Sequence, residues 1–584
     1  MTRNAEVAHR LEEFADLLEA DGVEYKPNTY RRAAENIREH HEPIEELAAE
    51  GESAVERIDG VGEAIAAKVV EYIETGEIEE LAGLREKLPV DIEALTRVEG
   101  VGPKRVGKLY HALEITTLDE LATAAEAGRI QEVDGFGPKT EANIRENVAF
   151  AREAQKRERL GDARPLADEI LTYLRETDGV DSAEVAGSIR RWRDTIGDVD
   201  VLVAATANEA VVDAFLEWPP ASDVIEAGEH KAGLRVDDIR IDLRVVDPSE
   251  FGSALQYFTG SKEHNVELRN LAIDRELKMN EYGVFDVSDV DDPDAGQRVG
   301  ERIAGETEES MYAALDLPLV PPEIREGTGE IDAAREGTLP DLVDEDDVRG
   351  DLHTHTDWSD GRASIAEMAD AAAARGYEYY AVTDHATGPG MVGGVGLEDD
   401  DLRAQMDAVD EVREEVDADL TLLHGVETNI DADGGLSTDD DVLAALDLVV
   451  ASPHAALGQD RDTATQRLVA AVEHPSVDVL GHPTGRLINE REGLDLDIAR
   501  IAAAAADAGT ALEINADPAR LDLNGELVRV AVDAGATIAV DTDGHAPGAL
   551  EYIRYGVHTA RRGWCEAADV LNTREIDGLR SFLH

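Results

Sequence analysis

The sequence predicts a multidomain protein with a helical N-terminal region, a mixed α/β region and a C-terminal β/α barrel. Residues 1–150 repeat a Gly-x-Gly turn three times between helical stretches. The middle of the chain alternates polar and apolar residues as strands do, and the residues after Asp351 alternate apolar runs with alanine-rich helical stretches. At 584 residues, the chain is also too long for one compact domain.

Composition narrows the class of protein. Hydrophobic residues make up 42% of the chain, which is enough for folded cores, and no apolar run is long enough to span a membrane. The single cysteine, Cys565, excludes an intrachain disulfide framework. We therefore expect a soluble, cytoplasmic and monomeric protein with no membrane partner.

The net charge of −73 is spread along the chain, with 128 Asp and Glu against 55 Lys and Arg. A uniformly acidic, lysine-poor surface is typical of proteins that work in concentrated salt, where the Debye length falls to about 3 Å. This pattern predicts a halophilic source, with an ordinary acidic protein as the alternative. Charge alone argues against a nucleic-acid partner only at low salt.

The N-terminal repeats are Ile58–Gly62, Val98–Gly102 and Val133–Gly137. This is the helix-hairpin-helix pattern, in which glycine permits a tight turn and the free amides at the next helix N-terminus bind a phosphate. One copy also closes many inert turns, but three at similar spacing indicate a protein that binds the nucleic-acid backbone without base preference. The predicted DNA-binding glycines are Gly60, Gly62, Gly100, Gly102, Gly135 and Gly137.

Three aspartates in the middle region are expected to converge. Asp198 and Asp200 lie two residues apart on a strand, so their side chains share one face. Asp242 interrupts an apolar alternation, where a carboxylate is costly unless it is paired or bound to metal. Three convergent carboxylates suit two Mg²⁺ or Mn²⁺ ions that assist attack on an α-phosphate. The alternative is an acidic strand end, which is common in so acidic a chain.

A Gly-Ser turn upstream makes the metal site the favoured interpretation. The amides and hydroxyl of Gly187 and Ser188 can bind the outer phosphates of a nucleotide. The Gly-Ser…Gly-Asp-x-Asp arrangement resembles the nucleotidyltransferase superfamily, and Tyr257-Phe-Thr-Gly-Ser261 resembles the family X DNA polymerases. The resemblance extends from the N-terminus to about residue 317 and implies a nucleotidyltransferase palm that acts on gapped or nicked DNA and dNTPs.

This resemblance also implies roles for individual residues. Asp198, Asp200 and Asp242 would be the catalytic metal ligands. Ser188 and Arg191 would contact the triphosphate. The other expected nucleotide-binding residues are Gly187 and Gly260, then Tyr257 and Phe258 at the sugar, and Asn265 and Arg269 near the base pair and template.

Lys68 matches the Schiff-base lysine of a deoxyribose-phosphate lyase within the same resemblance. A lysine desolvated against an apolar helix face can have a lowered pKa and attack a sugar aldehyde. Tyr30 and Arg31 match the same module and are expected to contact DNA, whereas Ala64 replaces a second lysine that is common in relatives. The alternative is that Lys68 lies at a helix flank and simply meets DNA.

Six apolar runs alternate with helical stretches after Asp351. Together with Asp351–His353, they predict about seven β/α units in a barrel, with a doubly wound open sheet as the alternative. Histidines and carboxylates follow most of these runs. Because the C-terminal strand ends of a barrel gather on one face, these side chains are expected to converge on Mn²⁺, Zn²⁺ or Fe²⁺. Four further histidines are interpreted as ordinary core or surface groups: His424, His474, His558 and His584.

The histidine pattern resembles a PHP (polymerase and histidinol phosphatase) domain. The resemblance implies a distorted (β/α)7 barrel, about three bound ions and phosphodiester hydrolysis. All the expected ligand positions are occupied, which implies an active site: His353, His355, Asp360, His385, Glu427, His454, His482, Asp543 and His545.

Together the two patterns resemble the bacterial and archaeal repair polymerases of family X. This implies a DNA base-excision repair enzyme that adds dNTPs to gaps and hydrolyses DNA as a 3′→5′ exonuclease, with AP endonuclease or 3′-end processing as further activities. Two alternatives are a PHP phosphoesterase that acts on small phosphate esters, and a DNA-binding scaffold with an inactive polymerase. The predicted segments are 1–85 (DNA-binding or lyase-like), 86–155 (helix-hairpin-helix, fingers-like), 156–250 (palm), 251–317 (C-terminal polymerase subdomain), 318–347 (linker) and 348–584 (PHP).

Overall fold

The computed structural model describes residues 3–23, 26–38, 40, 43–58, 60–96, 98, 100–154, 157–236, 239–293, 295–390, 395–416 and 419–584. The chain divides into two compact units, Met1–Glu158 with Asn489–Arg491, and Arg159–Ile488 with Glu492–His584. Within the described part of the chain, no helix is both long enough and apolar enough to cross a membrane.

The first unit is built of helices around one apolar core that extends from Val7 to Val148. Its helices are Arg3–Ala20, Lys26–Arg38, Ile44–Glu50, Glu52–Val55, Glu63–Thr75, Glu79–Lys87, Ile92–Thr96, Pro103–Leu113, Leu118–Glu126, the 3₁₀ turn Ile130–Glu132 and Pro138–Ala154. This confirms the predicted helical N-terminal region.

The three Gly-x-Gly repeats adopt the same turn. In each repeat, the N–H of the fourth residue donates to the carbonyl of the first, over 2.8 to 3.1 Å. Gly60, Gly100 and Gly135 have φ angles of 71°, 82° and 91°, a region that favours glycine. Gly62 and Gly102 cap the following helices without a side-chain acceptor, which leaves the first helical amides available to a phosphate.

The palm segment, residues 159–246, contains a five-stranded sheet. Its two central strands, Val199–Ala205 and Ile239–Val246, run parallel and place Asp200 opposite Asp242. The strands in spatial order are Val180–Val185, Val199–Ala205, Ile239–Val246, Lys231–Val236 and Asp223–Ala227. The segment also contains the short strand Thr195–Ile196 and the helices Leu160–Arg175, Gly187–Arg190 and Asn208–Leu216.

The next subdomain combines helices with a three-stranded antiparallel sheet of Leu277–Asn280, Gly283–Asp286 and Glu301–Ala304. Its helical elements are Pro248–Glu250, Phe251–Thr259, Lys262–Ile273, Glu308–Ala313, Pro322–Ile324 and Glu330–Glu336.

Residues 318–347 are predicted to form a linker, but most of this segment is packed against folded parts of the protein. Val320, Ile324 and Ile331 are buried in the same core as Leu268 and Met311. Pro321 and Pro322 lie at the start of a 3₁₀ turn within this segment, and Pro322 occupies the first position of the turn. Residues 320–334 therefore belong to the folded polymerase subdomain, whereas Val343 is buried in the barrel core. The other predicted boundaries stay predictions.

Seven parallel strands form the C-terminal barrel, and each pairs with the next strand in the sequence. The strands are Gly350–Asp351, Tyr379–Val382, Thr421–Asn429, Leu448–Ser452, Val479–Leu480, Ala511–Asn515 and Ile538–Asp541. Thr354 bridges Gly544, which brings the first strand to the last. This order confirms the barrel and excludes the doubly wound sheet, whose strand order would reverse.

Helices cover the outside of the barrel. They are Ile365–Ala374, Asp399–Arg413, Asp440–Leu443, Arg461–Val472, Ile498–Ala508, Gly525–Asp533, Ile553–Arg562 and Ile576–Arg580. Four 3₁₀ turns complete the described elements of this region: Glu345–Asp347, Pro547–Tyr552, Ala567–Asp569 and Leu571–Thr573.

The palm segment and the barrel are parts of one packed unit. Ile488, Leu521 and Tyr555 of the barrel belong to the same apolar core as the palm residues. A Cβ atom at Gly161, in the first palm helix, would collide with Pro518 of the barrel. Only glycine permits this close approach, so the two halves meet over a continuous interface.

Candidate active sites

The nine side chains predicted to bind metal gather at the C-terminal end of the barrel strands, and we call this set the barrel site. His353 and Glu427 are fully buried. His385 follows the strand Tyr379–Val382, and His482 follows Val479–Leu480. The complete set is His353, His355, Asp360, His385, Glu427, His454, His482, Asp543 and His545.

Three groups within the barrel site bring their donor atoms within 4.8 Å of one another. Oε1 of Glu427 lies 3.2 Å from Nε2 of His454 and 2.9 Å from Nε2 of His482. His482, which is in none of the three groups, is therefore also part of the site. The groups are His355, Asp360, His385 and His545; His353, His355 and Asp543; and His385, Glu427 and His454.

Several donor atoms of the barrel site are buried without a hydrogen-bond partner. They include Nε2 of His353, Nε2 of His355, Oε2 of Glu427 and Oδ1 of Asp543. An unpaired buried polar atom is costly, so this convergence indicates that the site fits cations. Mixed imidazole and carboxylate donors suit Mn²⁺, Zn²⁺ or Fe²⁺, and the three groups can accommodate more than one ion.

The histidines of the barrel site favour the ionised form of its carboxylates. Burial acts to raise the pKa of Glu427, but His385 and His454 outweigh it and hold the pKa well below its ordinary value. Burial likewise opposes ionisation of Asp543, whose pKa His353 and His355 lower well below the usual range. An ionised carboxylate is an acceptor only, which is the state that binds a cation.

The sequence interpretation missed side chains that orient these ligands. Oε1 of Glu513 lies 2.6 Å from Nδ1 of His353, Oδ1 of Asn429 lies 2.7 Å from Nδ1 of His454, and Nδ2 of Asn515 donates to Asp543 over 2.9 Å. Such contacts fix the ring orientation of a ligand. Polar residues inside the apolar run Ala511–Asn515 were the available signal for Glu513 and Asn515.

Asp198, Asp200 and Asp242 form the palm site. Burial, followed by the charges of Asp198 and Asp242, raises the pKa of Asp200 to about 7. Nε of Arg240 donates to Asp242 over 2.7 Å. Among the residues that the structure describes, these carboxylates are not gathered as closely as the barrel donors. A carboxylate whose charge is disfavoured by burial and by neighbouring carboxylates fits a cation site.

Gly187 lies against Asp200. Its φ is 62°, and a Cβ atom there would collide with Oδ2 of Asp200. The N–H of Ala186 donates to the carbonyl of Asp200 over 2.8 Å, which ties the Gly-Ser turn to the strand. Ser188 is half-buried in this turn. The sequence therefore brings the predicted phosphate-binding turn next to the predicted metal ligands.

The nucleotide-binding residues predicted from the resemblance line the same region in part. Phe258 lines one cleft with Asp200 and Asp242, and its ring meets that of Tyr257 edge to face at 5.1 Å. Nδ2 of Asn265 donates to the carbonyl of Tyr257 over 2.8 Å, so this amide fixes the turn.

Three other predicted residues have different surroundings. Arg191 donates to the carbonyl of Thr259 over 2.6 Å and pairs with Glu326 at 3.1 Å. Gly260 caps the helix Phe251–Thr259. Arg269 is exposed on the next helix. The nucleotide roles of all these residues stay predictions.

Lys68 differs from the expectation in one respect. Its Nζ lies 2.6 Å from Oε2 of Glu80. Burial acts to lower the pKa of Lys68, but Glu80 and Tyr30 outweigh it, so the pKa is raised rather than lowered. Tyr30 is buried, and Arg31 pairs with Asp16 at 2.6 Å. The lyase role of Lys68 and the DNA contacts of Tyr30 and Arg31 stay predictions.

Four protein-family models match the chain. The helix-hairpin-helix domain matches residues 2–78, the SAM-like helix-hairpin-helix tandem 92–148, the DNA polymerase beta thumb 254–326 and the PHP domain 351–517. The thumb match supports placing the start of the predicted linker in the polymerase subdomain.

Curated relatives divide into two kinds. The DNA polymerase/3′-5′ exonuclease PolX of Bacillus subtilis (strain 168) is 34% identical over 582 residues, which is 99% of this chain and 99% of that protein. A probable phosphatase of Thermoanaerobacter sp. (strain X514) is 31% identical over 207 residues, 33% of this chain and 78% of that protein. A probable phosphatase of Shewanella sp. (strain MR-4) is 30% identical over 206 residues, 33% of this chain and 75% of that protein.

Helical hairpins, a polymerase thumb and a histidine-rich PHP barrel together define a family X type of DNA polymerase with a second, phosphoesterase-like domain. The chain belongs to the PolX family, as the similarity to the Bacillus protein over nearly the full length shows. This confirms the resemblance that the motifs predicted.

Proposed function

We propose that the protein is a DNA repair polymerase that extends 3′ ends in gapped or nicked DNA from dNTPs and hydrolyses DNA 3′→5′ with its barrel. The observation that carries the proposal is the presence of two separate sets of donor side chains in one chain, the palm carboxylates, with Asp200 opposite Asp242, and the barrel site. The full-length similarity to a polymerase/exonuclease supports it.

In the palm, Asp198, Asp200 and Asp242 would hold two Mg²⁺ or Mn²⁺ ions. Ser188 and Arg191 would bind the outer phosphates of the dNTP. Phe258 would face the sugar from the cleft that it shares with Asp200. When bound at either site, divalent ions would supply positive charge to the phosphate and align the attacking oxygen. Residues of the chain fix the geometry before substrate arrives.

In the barrel, the nine ligands would hold about three ions, with Mn²⁺, Zn²⁺ and Fe²⁺ as the candidates. Glu513 and Asn429 would keep the rings of His353 and His454 directed at them. AP endonuclease and 3′-end processing would use the same hydrolysis on other DNA ends. A small-ester phosphatase is disfavoured because the phosphatase relatives match only 33% of the chain.

The three hairpins would hold the DNA. Their glycine turns and uncapped helix amides contact backbone phosphate without a basic side chain, so the acidic composition does not oppose this role. We also propose a cytoplasmic location for the protein.

A pair of variants tests the proposal. Asp200→Asn is expected to abolish dNTP incorporation on gapped DNA and leave nuclease activity, and His355→Ala is expected to do the reverse, in Mg²⁺ or Mn²⁺ at low and molar KCl. Asp213→Asn, at an exposed helix position, is the matched control. Loss of both activities in either folded variant would contradict the two-site proposal. Phosphatase activity on histidinol phosphate without nuclease activity would favour the small-ester alternative, and absence of any incorporation the scaffold alternative.

A further inference from the structure

Arg562 of the barrel contacts the palm loop that contains Arg191, which is predicted to bind the nucleotide. It lies at the end of the helix Ile553–Arg562, and its side chain is 6% exposed. Nη1 of Arg562 donates to the main-chain carbonyl of Arg191 over 2.7 Å. The same nitrogen lies 3.1 Å from Oε1 of Glu326. A residue of the nuclease domain therefore contacts a residue expected to bind the dNTP triphosphate.

Glu326 is shared by three guanidinium groups. Nε of Arg191 and Nη1 of Arg562 each lie 3.1 Å from Oε1, and Nη1 of Arg193 lies 3.5 Å from Oε2. Asp194, which pairs with Arg486, is a second carboxylate near these groups. The four guanidinium groups still outnumber the two carboxylates, so a net positive charge remains to attract a polyanion. Glu326 also fixes the direction of the Arg191 side chain, while Arg562 fixes the backbone from which that side chain projects.

The loop that follows Arg191 is attached to the barrel at two more points. The ring of Trp192 stacks on His558 with centroids 3.6 Å apart and planes 7° apart. Oδ2 of Asp194 pairs with Nη2 of Arg486 at 2.8 Å. This loop connects Ser188 to Asp198, so its position sets the distance between the phosphate-binding turn and the catalytic carboxylates.

We propose that Arg562 is a positioning residue of the polymerase that acts through Arg191 to set the affinity for the dNTP. The nuclease barrel then forms part of the nucleotide pocket of the other active site. This inference rests on the proposed function, in which Arg191 binds the triphosphate. Loss of Arg562 leaves Glu326 to draw Arg191 away from the substrate and frees the backbone of the loop.

Arg561 provides a matched control on the same helix. Its Nε donates to Glu323 over 2.7 Å, and its Nη1 donates to the carbonyl of Val343 over 2.9 Å. Its side chain is also mostly buried. Arg561→Gln therefore removes a comparable buried ion pair but no direct contact with Arg191 or Glu326. Glu323 reaches the loop only through His558, which stacks on Trp192, so this variant measures the effect of structural damage near the loop.

The experiment compares single-nucleotide insertion by the full chain and its variants on gapped DNA. Arg562→Gln is expected to raise KM for dNTP by roughly 5- to 30-fold, with smaller changes in kcat and in KM for DNA and with unchanged exonuclease activity. Arg562→Lys is expected to recover part of the loss because its ammonium still balances Glu326. Arg561→Gln is expected to change KM for dNTP by less than about twofold.

A double variant tests whether Arg562 acts through Arg191. Arg191→Ala alone is expected to raise KM for dNTP, and adding Arg562→Gln is expected to raise it no further. An unchanged KM in Arg562→Gln, an additive double variant, or an equal rise in Arg561→Gln would overturn the inference. If thermal unfolding shows that Arg562→Gln does not fold, Glu326→Gln tests the same contact, and a wild-type KM there would also overturn it. Failure of the proposed function gives a different result, since the wild type would not incorporate dNTP at all.

Discussion

Glu513 contacts two of the proposed metal ligands, His353 and His482. Its Oε1 accepts a hydrogen bond from Nδ1 of His353 at 2.6 Å, and its Oε2 accepts the backbone N–H of His482. Both oxygens are needed as acceptors, and the residue is fully buried in the strand Ala511–Asn515. One carboxylate therefore sets the ring orientation of His353 and the path of the chain at His482.

Glu513→Gln is expected to weaken metal binding at the barrel site. A glutamine offers one acceptor and one donor, so one of the two hydrogen bonds is lost. We expect about a 10- to 100-fold loss in metal affinity, as for other residues that orient metal ligands. Exonuclease activity during Mn²⁺ titration measures it, together with metal content after dialysis. dNTP incorporation should not change, and Glu526→Gln, at an exposed position, is the control.

Gly187→Ala is expected to reduce polymerase activity by about 100-fold or more, because the new Cβ atom collides with Oδ2 of Asp200 and displaces a carboxylate proposed to be catalytic. The positive φ of 62° adds strain. Nucleotide insertion on gapped DNA measures the loss, while the exonuclease should be unaffected. Gly458→Ala is the control, since its Cβ atom would meet nothing. An alanine variant with wild-type insertion would contradict the described geometry.

Removing the ion pair between Lys68 and Glu80 is expected to increase the reactivity of Lys68 toward a sugar aldehyde. Glu80 helps to raise the pKa of Lys68, so Glu80→Gln lowers that pKa and increases the fraction of neutral amine at pH 7. Schiff-base formation should rise by up to about tenfold for each unit of pKa. Borohydride trapping on 5′-deoxyribose-phosphate DNA measures it, with Glu79→Gln as the control. A cross-link that persists in Lys68→Ala would show that another group is the nucleophile.

Acid should destabilise the second compact unit through buried carboxylates. Burial opposes ionisation of Glu308, but Arg325 and Arg190 lower its pKa from 4.5 to about 2. A lowered folded-state pKa stabilises the protein above the unfolded value, and this contribution disappears as pH falls from about 4.5 through about 2. It amounts to about 3 kcal/mol. The free energy of unfolding, measured with denaturant from about pH 6 to about pH 2, should depend less steeply on pH in Glu308→Gln than in the wild type. Glu309→Gln should behave like the wild type.

Much of the barrel was predictable from the sequence because its signals are local. Apolar runs and alanine-rich stretches reflect burial of each element, and the helix Ile498–Ala508 forms from one such alanine-rich stretch. The metal ligands follow strands, and strand ends converge in any β/α barrel. The hairpin helices Glu63–Thr75 and Pro103–Leu113 were predictable because glycine and proline mark their starts.

The features that the sequence did not predict depend on tertiary packing. Glu513 meets His353 across 160 positions of the chain, and Arg562 meets Glu326 across 236. No local pattern specifies such a pair, because the side-chain directions follow only from the folded barrel. The segment 318–347 was misassigned for the same reason, since its apolar residues are spaced irregularly and pack against residues that lie far away in the sequence, such as Leu268. The halophilic source stays a prediction from charge alone.

The barrel packs against the palm through the apolar residues Ile488, Leu521 and Tyr555. Because of these contacts, losing the activity of the barrel and losing the barrel itself would have different consequences. Residues at the rim of the barrel can change one at a time, because they affect only the hydrolysis of DNA. The body of the barrel cannot be lost so easily, because its loss would expose the apolar surface of the palm to water. Natural selection can therefore silence this nuclease far more readily than it can delete it.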